Sequence, residues 1–274
     1  MPASGSPLPI VRFKGVSKRF GPVVVFDHID LDIAAGRTTV VLGPSGAGKS
    51  VLIKHIVGLL HPDAGEVWYR DHRVDRLGER ELGPIRAEIG FVFQMAALFD
   101  SMTVRENLEF PLLEHTDKDP DARKEAVARA LQRVDLAGLE DRFPGELSGG
   151  QKKRVALARA IILEPRLILY DEPTTGLDPI RSAGIDALIN RLKKDLGASA
   201  IVVTHDLASA QRVADHVVLL HGGRIVAQGT MAELKNNPDD FVQRFLSGSD
   251  APPVEGEVTL SPFVPPRHTA EDRI

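Results

Sequence analysis

Residues 43–50, Gly43-Pro44-Ser45-Gly46-Ala47-Gly48-Lys49-Ser50, have the types and spacing of a phosphate-binding loop. Glycines let the backbone wrap closely round a phosphate chain. Free N–H groups at a helix start point inward, and the helix dipole favours the negative charge there. Lys49 has the reach for the β- and γ-phosphates, and the Ser50 hydroxyl can ligate Mg²⁺. The loop follows the β-branched run Thr38-Thr39-Val40-Val41-Leu42 and precedes residues 51–60, whose pattern predicts a helix. That strand–loop–helix context separates a nucleotide site from a chance glycine-rich turn. It leaves kinase, GTPase and transport ATPase chemistry all open.

The apolar run Leu167-Ile168-Leu169-Tyr170 ends in two carboxylates, Asp171 and Glu172. Ligands of open α/β sheets bind at the carboxyl ends of strands. There Asp171 can hold Mg²⁺, directly or through water. Glu172, on the other face, can polarise an attacking water, work that contributes about 10²–10⁴ in rate. Two solvated charges opening a loop would be the alternative for an isolated pair. A third constellation is Leu147-Ser148-Gly149-Gly150-Gln151. A serine and two glycines opening a long helix make a second anion-binding terminus. The plainer reading is a helix capped by Ser148.

These residues need a sheet and helices to hold them. Alternation of Ile29, Leu31 and Ile33 with aspartates predicts a half-buried strand over 29–33, with another over 10–13. Further strands are expected at 66–69, 89–93, 166–170 and 200–203. Segments 217–220 and 224–227 flank Gly222-Gly223 as a hairpin. Strand signals vanish between about 103 and 163, where 121–134 and 149–163 carry helical periodicity. This predicts a helical subdomain, about 100–163, inserted into an α/β core, with another helix over 179–196. Residues 95–110 read as loop-like, with Met95, Leu98, Phe99 and Met102 either tucked into the helical part or presented to a partner.

Composition narrows the function classes. At 43% hydrophobic and 26% charged, 274 residues make an ordinary folded chain with a substantial core. A net charge of −4 gives no support to nucleic-acid binding through bulk positive charge. The absence of cysteine excludes disulfides and thiolate chemistry. No run is apolar enough to span a bilayer, so a membrane role needs a second chain. Residues 1–9 and 248–274 are expected to be tails, the second carrying Pro262-Phe263-Val264-Pro265-Pro266, a segment that could pack on a partner.

From about residue 10 to 246 the sequence resembles the ATP-binding cassette (ABC) ATPases. The run Leu147 to Gln151 with Lys152-Lys153-Arg154-Val155-Ala156 is similar to that family's signature. The resemblance implies a P-loop NTPase (RecA-like) α/β core, an N-terminal antiparallel β-subdomain and an inserted α-helical signature subdomain. It implies ATP and Mg²⁺ as ligands, and a homodimer in which each P-loop faces Ser148, Gly149, Gly150 and Gln151 of the other chain. It assigns Phe20 to adenine stacking, Gln94 to Mg²⁺ or γ-phosphate sensing, Asp178 to the dimer-crossing loop and His205 to the γ-phosphate. Singly, Phe20 could be core, Gln94 a surface amide, Asp178 a helix cap and His205 a buried histidine.

Residues 48–60, 93–104, Asp178-Pro179-Ile180 and 241–248 further resemble the ATPases of Mce/Mla-type lipid transport systems. This implies phospholipid transport and attachment to the cytoplasmic face of an inner membrane through permease subunits. Accessory partners would be an Mce-domain protein and a small STAS-like subunit. The ATPase of an amino-acid-like importer is the runner-up, and a soluble non-transport ABC ATPase the third reading.

Overall fold

The computed structural model describes residues 9–248. The two expected tails, with the Pro262–Pro266 segment, lie outside the described residues apart from Pro9 and Gly248. Among the described residues ten strands and nine α-helices follow in chain order: β1 Val11–Phe20, β2 Val23–Ile33, β3 Thr38–Leu42, α1 Lys49–Ile56, β4 Ala64–Tyr69 and β5 His72–Arg73. Next come α2 Glu79–Ala87, β6 Ile89–Val92, α3 Val104–His115, α4 Pro120–Arg133, α5 Gly149–Ile161 and β7 Leu167–Asp171. The chain continues with α6 Pro179–Leu196, β8 Ser199–Thr204, α7 Leu207–Val213, β9 His216–His221, β10 Arg224–Gly229, α8 Met231–Lys235 and α9 Asp240–Ser247.

Two sheets form, as the α/β reading requires. An antiparallel sheet runs β2-β1-β4-β5, and a six-stranded sheet runs β10-β9-β3-β8-β7-β6. In the second, β9, β3, β8, β7 and β6 are parallel and β10 closes one edge antiparallel. Every residue of β3, β7 and β8 is buried, because helices and the small sheet cover both faces. Alternation along β3 sends Val40 and Leu42 into a core shared with α3 to α7, while Val41 enters a core shared with α1, β1 and β2. The β9–β10 hairpin closes where it was expected. His221 pairs with Arg224, and Gly222 (φ +54°) and Gly223 (φ +75°) make the left-handed two-residue turn.

Several boundaries differ from the sequence reading. Helix α1 starts at Lys49, two residues before the expected 51, and ends at Ile56 rather than 60. Its stop is Gly58, at φ +67°, where a Cβ would lie 2.6 Å from Leu82. The loop-like stretch 95–110 holds the start of a helix. Thr103 Oγ1 accepts from Glu106 N while Glu106 returns a carboxylate oxygen to Thr103 N at 2.7 Å, a capping box that fixes the beginning of α3. Within it, only residues up to the cap Thr103 are loop.

Candidate functional site

The central strands β3, β8 and β7 are neighbours and parallel, so their C-terminal ends share one edge. Leu42 pairs with Thr204, and Asp171 with Val203. The chain leaving β3 becomes the 43–50 loop, that leaving β8 presents His205, and that leaving β7 presents Asp171 and Glu172. Two glycines of the loop are forced by close packing. A Cβ on Gly43 would meet Leu220 O at 2.3 Å, and one on Gly48 (φ +91°) would meet Val25 Cγ1 at 2.7 Å and Phe26 Cε1 at 2.9 Å. Strands β9 and β2 thus clamp the loop from two sides. Ala47 N donates to Pro44 O at 3.2 Å across its turn, through Ser45 and Gly46.

Because α1 begins at Lys49, the lysine and Ser50 both stand on its first turn. Lys49 is buried, and its Nζ donates to Gly43 O and Pro44 O, both at 2.9 Å. Its nearest carboxylate oxygen, Glu172 Oε1, is 3.8 Å away, an ion pair without a direct hydrogen bond. Burial lowers the Lys49 pKa, against the opposing pull of Glu172 and Asp171. Ser50 Oγ donates to Asp171 Oδ1 at 2.6 Å. Burial raises the Asp171 pKa, while the Ser50 hydrogen bond and Lys54 oppose the rise. A hydroxyl and a carboxylate held this closely are hard oxygen donors of the kind Mg²⁺ takes.

Glu172 turns out of the strand with φ +49°, a left-handed backbone unusual for a residue with a side chain. Its Oε2 accepts from Thr175 Oγ1 at 3.1 Å and Thr204 Oγ1 at 3.2 Å, and its Oε1 lies 3.0 Å from His205 Nδ1. His205 is therefore neither core nor fully buried: its side chain is 53% exposed, with one ring nitrogen on Glu172. The two threonines were not singled out in the sequence. Thr204 adjoins His205 and Thr175 lies three residues beyond Glu172, spacings that become informative only once the carboxylate's position is known.

The remaining candidates stand further out. Gln94 is exposed in the turn after β6, two residues beyond the Val92–Tyr170 pair, so it leaves the sheet at the edge that carries Asp171. Phe20 stands 42% exposed where β1 turns into β2, with the Lys18 ammonium 5.3 Å from its ring centre. Asp178 caps α6, accepting from Arg181 N at 2.9 Å. Ser148 caps α5: Gln151 N donates to Ser148 Oγ at 3.3 Å and Ser148 N to Gln151 Oε1 at 2.9 Å. This capping box leaves Gly149 and Gly150, on the first helical turn, without a side-chain acceptor. Direct contacts join Lys49 with Glu172 and Glu172 with His205, and Ser50 with Asp171, the two sets being linked through the chain neighbours Lys49-Ser50 and Asp171-Glu172; none of these contacts reaches Phe20, Gln94, Asp178 or 148–151.

The family model described as "ABC transporter" matches residues 26–175, more than half of the chain. The chain belongs to the ABC transporter family. It is an ATPase cassette. MlaF of Haemophilus influenzae, an intermembrane phospholipid transport system ATP-binding protein, is 37% identical over 93% of this chain and 97% of its own length. The Mycobacterium leprae protein mkl, a probable ribonucleotide transport ATP-binding protein, is 40% identical over 89% of this chain and 70% of its own. Among solved structures, the dimeric post-hydrolysis cassette MJ0796 with ADP and Pi superimposes with a TM-score of 0.74 and 32% identity. It covers 81% of this chain and 98% of that one. The Clostridium perfringens cassette cbiO1, part of the ABC transporter complex cbiONQ, gives 0.77 at 29% identity, with coverage of 88% and 96%.

Proposed function

We propose that this chain energises a phospholipid transport system of the Mce/Mla type, as a pair of identical cassettes carried by membrane permease subunits. The residue roles rest on one observation: at the carboxyl edge of the sheet Lys49 pairs with Glu172 and Glu172 with His205, while the adjoining Ser50 and Asp171 pair with each other. Lys49 and the amides of 43–50 bind the β- and γ-phosphates, and Phe20 stacks on the adenine. Ser50 and Asp171, with Gln94, would hold Mg²⁺, which when bound neutralises phosphate charge. Glu172 orients and deprotonates the attacking water, and His205 contacts the γ-phosphate. Catalysis is positioning and charge stabilisation.

Ser148, Gly149, Gly150, Gln151 and Asp178 complete the site from the second chain. The 148–151 helix start offers two unshared N–H groups, and the cluster above already holds a phosphate loop of its own. The dimeric state of a cassette 32% identical to this chain supports that arrangement. Cysteines placed at Ser45 and Gly149 have no native thiols to compete with them. They are expected to crosslink between chains only when ATP is bound. A bond within one chain, or one formed equally without nucleotide, would reject the shared site.

The lipid assignment rests on likeness along nearly the whole of both chains to MlaF, whereas mkl is matched over 70% of its length. It implies an Mce-domain protein and a small STAS-like subunit as further partners. No helix among the described residues is long and apolar enough to cross a membrane. In this reading the cassette sits on the cytoplasmic face, held there by the permease. Reconstitution with that permease, and transfer of labelled phospholipid against labelled ribonucleotide or amino acid, tests the substrate; transfer of either of the latter alone would overturn it.

A further inference from the structure

We infer that Lys153 is a positioning residue for Glu172: it ties the helix that begins at Ser148 to the loop that orients the carboxylate. The inference rests on the proposed role of Glu172 and extends it. Lys153 lies on α5, five residues after Ser148. Its Nζ reaches out of the helix and donates to Pro173 O at 2.8 Å and Thr175 O at 2.6 Å. Thr175 in turn donates its hydroxyl to Glu172 Oε2 at 3.1 Å and its N–H to Glu172 O at 3.3 Å. The carboxylate is thus two residues away from a signature-helix side chain.

A lysine on a surface helix ordinarily keeps its ammonium in water. Here the half-buried ammonium turns toward this loop; burial pushes its pKa down and the nearby charge of Glu172 pulls it back up. Two carbonyls replace its hydration. They belong to the segment running from Glu172 to Asp178, which a turn from Leu177 N to Thr174 O at 3.1 Å keeps compact. A displacement of the α5 N-terminus therefore shifts the Thr175 carbonyl, and the Thr175 hydroxyl moves with it. In the paired arrangement, 148–151 of a chain meets the nucleotide on its partner, while Glu172 of the same chain serves its own nucleotide. Lys153 then makes the geometry of one site depend on the occupancy of the other.

The test uses the full-length chain, with ATPase rate against ATP concentration, equilibrium binding of labelled ATP, and thermal melting. Lys153→Met keeps the length of the stem and removes the donors. It is expected to lower kcat by about tenfold to a hundredfold, with KM and ATP affinity unchanged within about twofold. The Hill coefficient should fall toward 1. Lys153→Arg, which keeps donors, should recover kcat to within about threefold of wild type. Thr175→Val should show the same loss, and the double variant little more than either single, because both break one chain of contacts.

Wild-type kcat in Lys153→Met or Thr175→Val overturns the inference, as do additive losses in the double variant. A lowered melting point that Arg does not restore makes Lys153 merely structural and also overturns it. Should Lys153→Met not fold, Thr175→Val and Lys153→Arg decide. Glu172→Gln run in parallel separates the two readings: if it still turns over, the role of Glu172 fails. If it is inactive while Thr175→Val is normal, only the Lys153 link fails.

Discussion

Glu172→Gln isolates the charge of the carboxylate from its shape. The amide occupies the same volume and meets the same left-handed backbone at φ +49°, so the strain at this position, about 1–3 kcal/mol, is common to both proteins. Its oxygen can still accept from Thr175 and Thr204, whose hydroxyls lie 3.1 and 3.2 Å from Oε2. Two things change: the group can no longer take a proton, and Lys49 loses its ion-pair partner at 3.8 Å. The first removes a general base, a loss of about 10²–10⁴ in turnover, or about 2.7–5.4 kcal/mol in barrier height. The second removes a negative charge beside the triphosphate, so ATP affinity is not expected to fall. The variant should bind ATP, accumulate as an ATP-bound dimer and release almost no phosphate. Phosphate release under saturating ATP reads the rate, equilibrium dialysis reads the affinity, and gel filtration with ATP reads the dimer. Lys49→Ala is the contrast, expected to weaken binding itself. A Glu172→Gln rate of about a third of wild type or more would refute the base, since a general base contributes at least about a hundredfold.

The other predictions concern stability and coupling. Asp186 is fully buried on α6, accepting from Ser209 Oγ at 2.6 Å and Arg212 Nε at 2.7 Å on α7. Asp186→Ala should cost about 2–3 kcal/mol, less than the roughly 3–5 kcal/mol of a fully buried pair because the part-exposed Arg212 can turn to water, and lower the melting point by about 4–12 °C. His55 is buried, with Nδ1 on Val51 O at 2.7 Å, and burial lowers its pKa below the usual 6.5. The unfolded chain then binds more protons, so stability should decline as pH falls below about 6.5, and urea melts of His55→Leu should show a shallower decline. Met95 is 87% exposed, whereas Phe99 packs edge-on against Phe110 at 5.3 Å and beneath Arg159 at 5.6 Å. Met95→Asp should therefore abolish transport in the reconstituted system while leaving the ATPase rate of the isolated cassette intact; normal transport would remove this loop from the permease contact.

Much of this fold was legible because its strands and turns carry strong local signals. Buried parallel strands read as unbroken β-branched runs, as at 38–42 and 200–203, and Gly222-Gly223 between apolar runs specifies a two-residue turn. Elements set by tertiary contact were missed. Helix α2 contains Pro84 and two glycine-flanked turns of mixed polarity, and is held by Leu82 and Ile85 against the core rather than by its own periodicity. Helix α7 has seven residues, too few for a periodic pattern, and its start is fixed by Asp206 accepting from Ala208 N and Ser209 N. At the site, the spacing and context of 43–50 point to phosphate binding, whereas Asp171 and Glu172 gain a chemical reading only beside that loop. His205 needs the fold as well: a histidine after a strand carries no message until the sheet order sets β8 between β3 and β7.

That sheet order also explains why the carboxylate has so many partners. Glu172 leaves β7 beside β8, so Thr204 and His205 approach it from one side, and its backbone N–H is fixed by Val203 O at 2.9 Å. Thr175 approaches from the chain's own continuation. A carboxylate free in solution samples many rotamers, whereas this one has acceptors spoken for on both oxygens before any nucleotide binds. Preorganisation of this kind lowers the reorganisation needed at the moment of reaction. It also offers a route by which the carboxylate can be moved: Thr175, on the chain's own continuation, bonds both its side chain and its backbone. Within one chain the signature helix reaches the Thr175 backbone through Lys153, and in the proposed pair the same helix meets the partner's nucleotide. Hydrolysis on one face of the dimer would then be tied to closure on the other by contacts inside a single chain.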